Sequence, residues 1–320
     1  LTQAREAAMQ AARAQERCMR VFGLVLGLAV LMAGCASLQG DRRGVERIAV
    51  MSAFEPEMTA LEGEIENRHD EVVNGVTFVT GKMAGKDVVL FMSGVSMVNA
   101  AMTTQMALDR YDIDRIVFSG VAGGVDPSLG VGDVAVAAQW GQYLEAAMAR
   151  ETAEGFQTPT MHRTPQDAFA NFGMIFPASV PIARGDQPPE RKFWFAADPA
   201  MLALAETVAT GVTLKRCVES RCLSHQPKVV VGGNGVSGAA FVDNKKLREW
   251  AFSTFQARVL DMETAAVGHV AYVNRTPFIA FRSLSDLAGG EDGHNEAQTF
   301  YQLASENSAM VVKAFIAALP

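Results

Sequence analysis

The stretch ARVLDMETAAVGHVAYV, residues 257–273, begins as an apolar run, sets Asp261 and Glu263 on either side of Met262, and continues as small apolar residues. It reads as a buried strand, a short turn and a helix, the repeating unit of an α/β fold. A carboxylate at the carboxyl end of a strand suits two tasks. It can cap the helix that follows, or it can touch something bound in the crevice above the sheet.

Outward from this unit, the same alternation covers most of the chain. RIAVMSA opens it as a strand, 55–65 reads as a helix, and VTFVTGKMAGKDVVLFMSG reads as two strands turning near Ala84 and Gly85. Residues 97–111 are helical, RIVFSGVAGGV is a buried strand ending in glycines, and GDVAVAAQW is another strand. Residues 141–192 break the rhythm with prolines and polar residues and read as a long insertion over one face. Helix 198–209, strand KVVVGGNGV, helix 244–255, strand RVLDM, helix 263–274, strand PFIAFRSLSD and helix 296–319 follow. The expectation is a single three-layer α/β/α domain over 47–320 with a mixed central sheet.

The amino end differs in kind. Arg20, the apolar run 21–32 and the small residues before Cys35 form a secretory signal, too short to span as a mature helix. Residues 1–34 are expected to be a signal segment starting at Met19 after an upstream extension, and 35–46 a tether. Four arginines against two glutamates give residues 1–34 a net +2, so the rest of a chain totalling −7 carries −9. Such an acidic body argues against nucleic acid or anionic lipid as a partner. Cys217 and Cys222, in RCVESRC, read as a short-loop disulfide in an oxidising compartment, with two reduced surface thiols as the alternative. The five histidines are scattered with no ligand spacing, so no metal is expected.

Ligands of open α/β sheets sit beyond the strands' carboxyl ends. Those ends carry Glu55 and Glu57, Ser93 to Ser96, SGVAGG at 119–124 with Ala122 and Gly123, Met262 and Glu263, and Ser285 and Asp286. Acidic residues recur there and lysine is missing, which disfavours a nucleotide-phosphate site. NGVSGAAF approaches a nucleophile elbow at Ser237, but Ala239 stands where the second glycine is required. Singly, Glu57, Glu263 and Asp286 would each pass as a first-turn or capping carboxylate. Three of them at three strand ends point to a site.

RIAVMSAFEPEM, MSGVSMVNAAMTTQMAL, VFSGVAGGVDPSLGVGDVAVA, LDMETAAVGHVA and PFIAFRSLSDLAG occur in the order found in the nucleoside phosphorylase superfamily. The chain most resembles its methylthioadenosine/S-adenosylhomocysteine nucleosidase branch, and within it the group that includes plant bark storage proteins. Met32-Ala33-Gly34-Cys35 resembles a bacterial lipoprotein signal. That likeness implies lipidation of Cys35, an outer-membrane anchor through lipid alone, and a periplasmic body.

The resemblance implies roles as well. Asp286 matches the acid that protonates the purine at N7, and Glu57 the residue that activates water. Glu263 matches the group that grips the ribose hydroxyls, with Met262 on the sugar. Phe241 and Val242 match the stacking residue and the backbone that reads the base edge. Arg282 and Ser285 match groups that hold the water and the acid. Asp261 is expected to point the other way along its strand, as a structural residue. Relatives that take a methylthio group carry an aromatic residue early in the last helix region, where GGEDGHNEAQTF is polar until Phe300. Phe54 and Val95 are the expected apolar lining there. The expected activity is metal-free and cofactor-free hydrolysis of a purine nucleoside by an oligomer, at least a dimer. A binding or storage protein without turnover and a phosphate-dependent phosphorylase are the alternatives. The loops MSAFEPEM and MSGVSMVNAA contain no basic residue to hold phosphate.

Overall fold

The computed structural model describes residues 44–158 and 169–320. The signal segment 1–34, Cys35 and the tether to residue 43 lie outside the described residues, as do residues 159–168 of the insertion. Residues 45–320 form one unit around a twelve-stranded mixed sheet.

The sheet strands are β1 (Arg47–Ser52), β2 (Glu66–Val73), β3 (Val76–Met83), β4 (Lys86–Met92), β5 (Ile113–Gly124) and β6 (Val134–Val136). They continue as β7 (Gln139–Gln142), β8 (Trp194–Ala196), β9 (Val229–Val231), β10 (Asn234–Ser237), β11 (Ala257–Asp261) and β12 (Phe278–Asp286). Among the described residues, six helices accompany them: α1 (Glu55–Glu62), α2 (Met97–Arg110), α3 (Pro199–Ala209), α4 (Lys245–Phe255), α5 (Thr264–Asn274) and α6 (Ala297–Ala318). The order is β8-β7-β10-β11-β5-β1-β4-β3-β2, with β12 between β5 and β6 and β9 on the far side of β6.

The central strands are apolar throughout because both faces of the sheet are covered. Successive side chains alternate. Ala49 and Met51 of β1 join Phe118, Val89 and Phe91 under α2 and α5, which meet them with Ala100, Ala107, Ala265 and Val267. Ile48 and Val50 face the opposite layer, where Met58 and Leu61 of α1, Met201 of α3 and Val312, Phe315 and Ile316 of α6 pack. The smaller side chains of α2 and α5 let those helices lie close to the strands.

Several expected elements differ in detail. The first helix stops at Glu62, and 66–73, unassigned from sequence, is strand β2. ENRHDEVV shows no apolar alternation because β2 is an exposed sheet edge, where charges discourage further pairing. GDVAVAAQW and KVVVGGNGV each form two strands. Gly232 and Gly233, both at positive φ, bend the second of them, so that β6 pairs β9 and β7 pairs β10. The hairpin turn at Ala84 and Gly85 forms where expected.

The insertion begins later than expected, since Gly141 belongs to β7. Its described part is a set of short hairpins, Val180–Arg184 with Gln187–Lys192 among them. Phe169 and Phe172 anchor it: they pack on Phe193, Phe255 and Trp250, with Phe169 and Phe193 centroids 4.4 Å apart.

Cys217 and Cys222 are bonded across a two-stranded hairpin, and Val218 and Leu223 beside them pack on Phe300 and Leu303 of α6. Closing so short a loop contributes roughly 2 kcal/mol on the chain-entropy model. Replacing both cysteines by serine should lower the unfolding free energy by about that amount in urea titrations, and an unchanged midpoint would show that packing alone holds the hairpin.

Candidate active site

The carboxyl ends of β1, β5, β11 and β12 meet in one place because the last residues of β5 run antiparallel to β11. Gly123 pairs with Leu260 and Gly124 with Val259, while β12 runs parallel to β5 on its other side. The β5–β12 register shifts between Leu284 and Asp286. A one-residue bulge re-aims the strand at that point, and both Ser285 and Asp286 reach the cavity formed there.

That cavity brings together Phe54, Glu57, Val95, Ala122, Gly123, Phe241, Val242, Met262, Glu263, Ser285 and Asp286, every cavity residue expected from sequence except Arg282. Arg282 lies beneath it, fully buried on β12. Its guanidinium is stacked 3.9 Å from the Phe118 ring centroid and faces three carboxylates. Nε is 2.8 Å from Asp261 Oδ2 and donates to Thr264 Oγ1 at 2.9 Å. Nη1 is 3.9 Å from Glu57 Oε1 and Nη2 is 3.8 Å from Glu263 Oε2. These last two separations are ionic contacts, too long for hydrogen bonds. Gly120 makes room for the group, since a Cβ there would come within 1.8 Å of Nη1 and 2.8 Å of Glu57 Oε1. The Gly120 N–H is satisfied from behind by Ser308 Oγ of α6, at 3.1 Å.

Each carboxylate is held differently. Glu57, in the first turn of α1 after Pro56, accepts from Ala53 N–H at 2.6 Å and from Val121 N–H at 2.8 Å. Burial raises its pKa, opposed by the Arg282 charge and these N–H groups. Asp286 accepts from Ala288 N–H and from the Ser285 hydroxyl, both at 2.8 Å, with Asn295 Nδ2 at 3.4 Å. Burial raises its pKa too, opposed by these donors, and its charged neighbour, Glu291, pushes it up.

The choice between capping and ligand contact at the α5 start is resolved by Asp261, not Glu263. Asp261 Oδ1 accepts from Thr264 N–H at 3.2 Å, Glu263 N–H at 3.3 Å and Ser237 Oγ at 2.5 Å. Thr264 Oγ1 donates to its other oxygen. Asp261 therefore does not point away as the strand alternation predicted: β11 ends at this residue, and the side chain turns into the polar floor. Glu263 makes no cap bond and accepts instead from Ser96 N–H at 2.7 Å. Ser96 has φ 85 and ψ 161, a conformation that L residues rarely hold and that costs about 1–3 kcal/mol. Burial and the Asp261 charge lift the Glu263 carboxyl to about 7.

Two contributors escaped the sequence reading. Asn295 steadies Asp286 from the loop before α6. Tyr301 lines the cavity with its ring edge-on to Phe54, centroids 5.4 Å apart at 74°. Phe300, the first aromatic residue of that region, is buried with Val131 and Leu223. The helical spacing of Phe300, Leu303 and Ala304 marks the core face and leaves Tyr301 on the flank toward the cavity. Among the described residues, no group of three His, Cys, Asp or Glu side chains is placed to hold a metal.

Residues 47–317 match the model of the phosphorylase superfamily. The 5'-methylthioadenosine/S-adenosylhomocysteine nucleosidases of Bacillus thuringiensis (strain Al Hakam) and Bacillus cereus (strain AH187) are 30% identical to this chain over 269 residues, 83% of it and 97% of each of them. The structure of such a nucleosidase from Colwellia psychrerythraea, in complex with adenine, is similar with a TM-score of 0.64 at 26% identity, covering 86% of this chain and 96% of that one. Futalosine hydrolase of Helicobacter pylori shares the fold with a TM-score of 0.61 at 23% identity, covering 86% and 99%.

The raised Glu263 carboxyl carries a consequence for stability. The folded chain keeps a proton there that the unfolded chain releases near its ordinary 4.5. Folding stability therefore falls as pH rises from about 4.5 to about 7, by at most about 1.4 kcal/mol per pH unit. Glu263→Gln should remove this slope, so that urea denaturation at a series of pH values shows the variant gaining on the wild type across that window and nowhere else. A flat difference would mean that Glu263 ionises normally.

Proposed function

This chain belongs to the phosphorylase superfamily and is an N-glycosyl hydrolase, and we propose that it cleaves purine nucleosides with water as the nucleophile. The nucleosides are of the 5'-methylthioadenosine or S-adenosylhomocysteine kind, or carry an unmodified ribose. The observation that carries this reading is the contrast between two buried carboxylates in one cavity. Burial raises the pKa of both and hydrogen-bond donors oppose it at both, but Glu57 also has the Arg282 cation to favour its ionised form, whereas the charge near Asp286 is another carboxylate, Glu291. Environments that push two carboxyls apart assign base and acid.

In the proposed reaction, ionised Glu57 takes a proton from water as the oxygen attacks C1′. The glycosidic electron pair leaves with the base, and Asp286 delivers its proton to N7. Free base and ribose, or its 5′ derivative, result. Glu57 ends protonated and Asp286 ionised, and exchange with solvent restores both. General-acid assistance of this kind contributes about 10²–10⁴-fold. Glu263 accepts from the ribose hydroxyls, Met262 packs on the sugar, and Phe241, 57% exposed, offers a face to the base beside the Val242 backbone. No lysine or arginine lines the cavity among the described residues, and Arg282 is already matched to three carboxylates. A phosphate dianion there would meet like charge, about 4 kcal/mol for two unit charges at 4 Å and an effective dielectric of 20.

Base release from adenosine, inosine or methylthioadenosine should therefore proceed undiminished in phosphate-free buffer, and Asp286→Asn should lower it by two or more orders of magnitude. Ribose-1-phosphate as product would make the chain a phosphorylase, and no base from any of the three would leave a binding protein.

Export completes the proposal. The signal-like segment before Cys35 supports a lipoprotein anchored in a bacterial outer membrane and facing the periplasm. The exposed Val95, Val98 and Met102 beside the cavity support a homo-oligomer, at least a dimer. Cys35→Ala should move the protein from the membrane fraction to the soluble periplasmic fraction, because its acyl chains are the proposed anchor. Continued sedimentation with membranes would point to another attachment.

A further inference from the structure

A nucleoside offers three ends to a pocket: the base, the 2′,3′-diol and the 5′ substituent. On the reading above, Asp286, Phe241 and Val242 take the base, and Met262 and Glu263 take the diol. The cavity wall left for the 5′ end is Phe54, Val95 and Tyr301. Phe54 and Val95 are apolar. Tyr301 is the one residue of that wall with a polar side-chain atom, and its hydroxyl makes no hydrogen bond among the described residues.

The phenol is also kept in its donor form. Burial first, and then the charges of Asp286 and Glu57, push the Tyr301 hydroxyl up from its ordinary value, so it is neutral at any physiological pH. The edge-on contact with Phe54 fixes the ring while leaving the hydroxyl unpaired. A neutral phenol both donates and accepts, which matches an alcohol, whereas a thioether sulfur is a weak acceptor with no proton to give.

We propose that Tyr301 determines specificity at the 5′ position, hydrogen-bonding a 5′-hydroxyl and making unmodified purine ribonucleosides the preferred substrate class over 5′-thioethers. This rests on the nucleosidase reading of the same cavity. It departs from the substrates named for the 30% identical relatives, and it assigns the departure to one side chain.

The test compares adenosine with 5′-deoxyadenosine, which differ by that hydroxyl alone, and includes methylthioadenosine. The wild type should favour adenosine over 5′-deoxyadenosine in kcat/KM by about fivefold, the effect of one hydrogen bond between neutral groups. Tyr301→Phe keeps the ring and its contact with Phe54. It should bring the ratio to about one by slowing adenosine while leaving 5′-deoxyadenosine and methylthioadenosine unchanged. An equal loss on all three substrates would make Tyr301 a structural residue or a partner of Asp286, and an unchanged ratio would remove it from the 5′ site; either overturns the proposal. If no substrate releases base, the nucleosidase reading fails separately, and the same adenosine to 5′-deoxyadenosine ratio in dissociation constants still decides Tyr301.

Discussion

A guanidinium fully removed from water and ringed by three carboxylates organises this molecule. Arg282 sits on β12, and its partners come from α1, from the end of β11 and from the start of α5. Burying such a charge alone would cost several kcal/mol, and so would burying each carboxylate alone. Together they are tolerable only while all four elements stay in register, which makes the polar floor a joint among them. The absence of a side chain at Gly120 and the aromatic face of Phe118 shape the space for the joint. Burial, and then the Asp261 charge that the one cation leaves unbalanced, raise the carboxyl of Glu263.

The same joint divides labour among acidic groups that look alike in sequence. Asp261 is spent on the α5 start, on Ser237 and on Arg282, and therefore supports the site from beneath. Glu263 is thereby freed from capping and is aimed by Ser96. Glu57 combines a bond to Ala53, just ahead of α1, with a bond to Val121, which fixes it against the end of β5. Asp286 has hydrogen-bond donors of its own but no contact with Arg282, and its charged neighbour is Glu291, so the cation that favours charge on Glu57 is missing there. Hydrogen-bond partners and neighbouring charge, rather than residue type, separate these four.

The apolar framework makes this arrangement rigid. Alternate residues of β1 enter opposite core layers, and α2 and α5 on one side and α1, α3 and α6 on the other cover the central strands. Small residues on α2 and α5 bring those helices near the sheet, and α6 reaches through with Ser308 to Ser119 and Gly120. The insertion adds an aromatic cluster on α4 rather than a polar fringe, because Phe169, Phe172 and Phe193 fall against Trp250 and Phe255.

Sequence alone determined the alternation of strands and helices, the mixed sheet and the strand-end positions of Glu57, Glu263 and Asp286, because those follow from local periodicity and from where each apolar run stops. Val95, Ala122, Gly123, Met262 and Ser285 were legible for the same reason, whereas Phe54, Phe241 and Val242 were named only by the family resemblance. Strand β2 was not, since an edge strand needs no apolar face, and the two split strands were not, since a bend changes the pairing without changing the pattern. Only the tertiary structure decided that Asp261 turns inward, that Arg282 serves three carboxylates at once, and that Tyr301 rather than Phe300 reaches the cavity. Each of these depends on which side chains from distant segments share one buried volume, and the cost of burying an unpaired charge is set by that company, which no local pattern records.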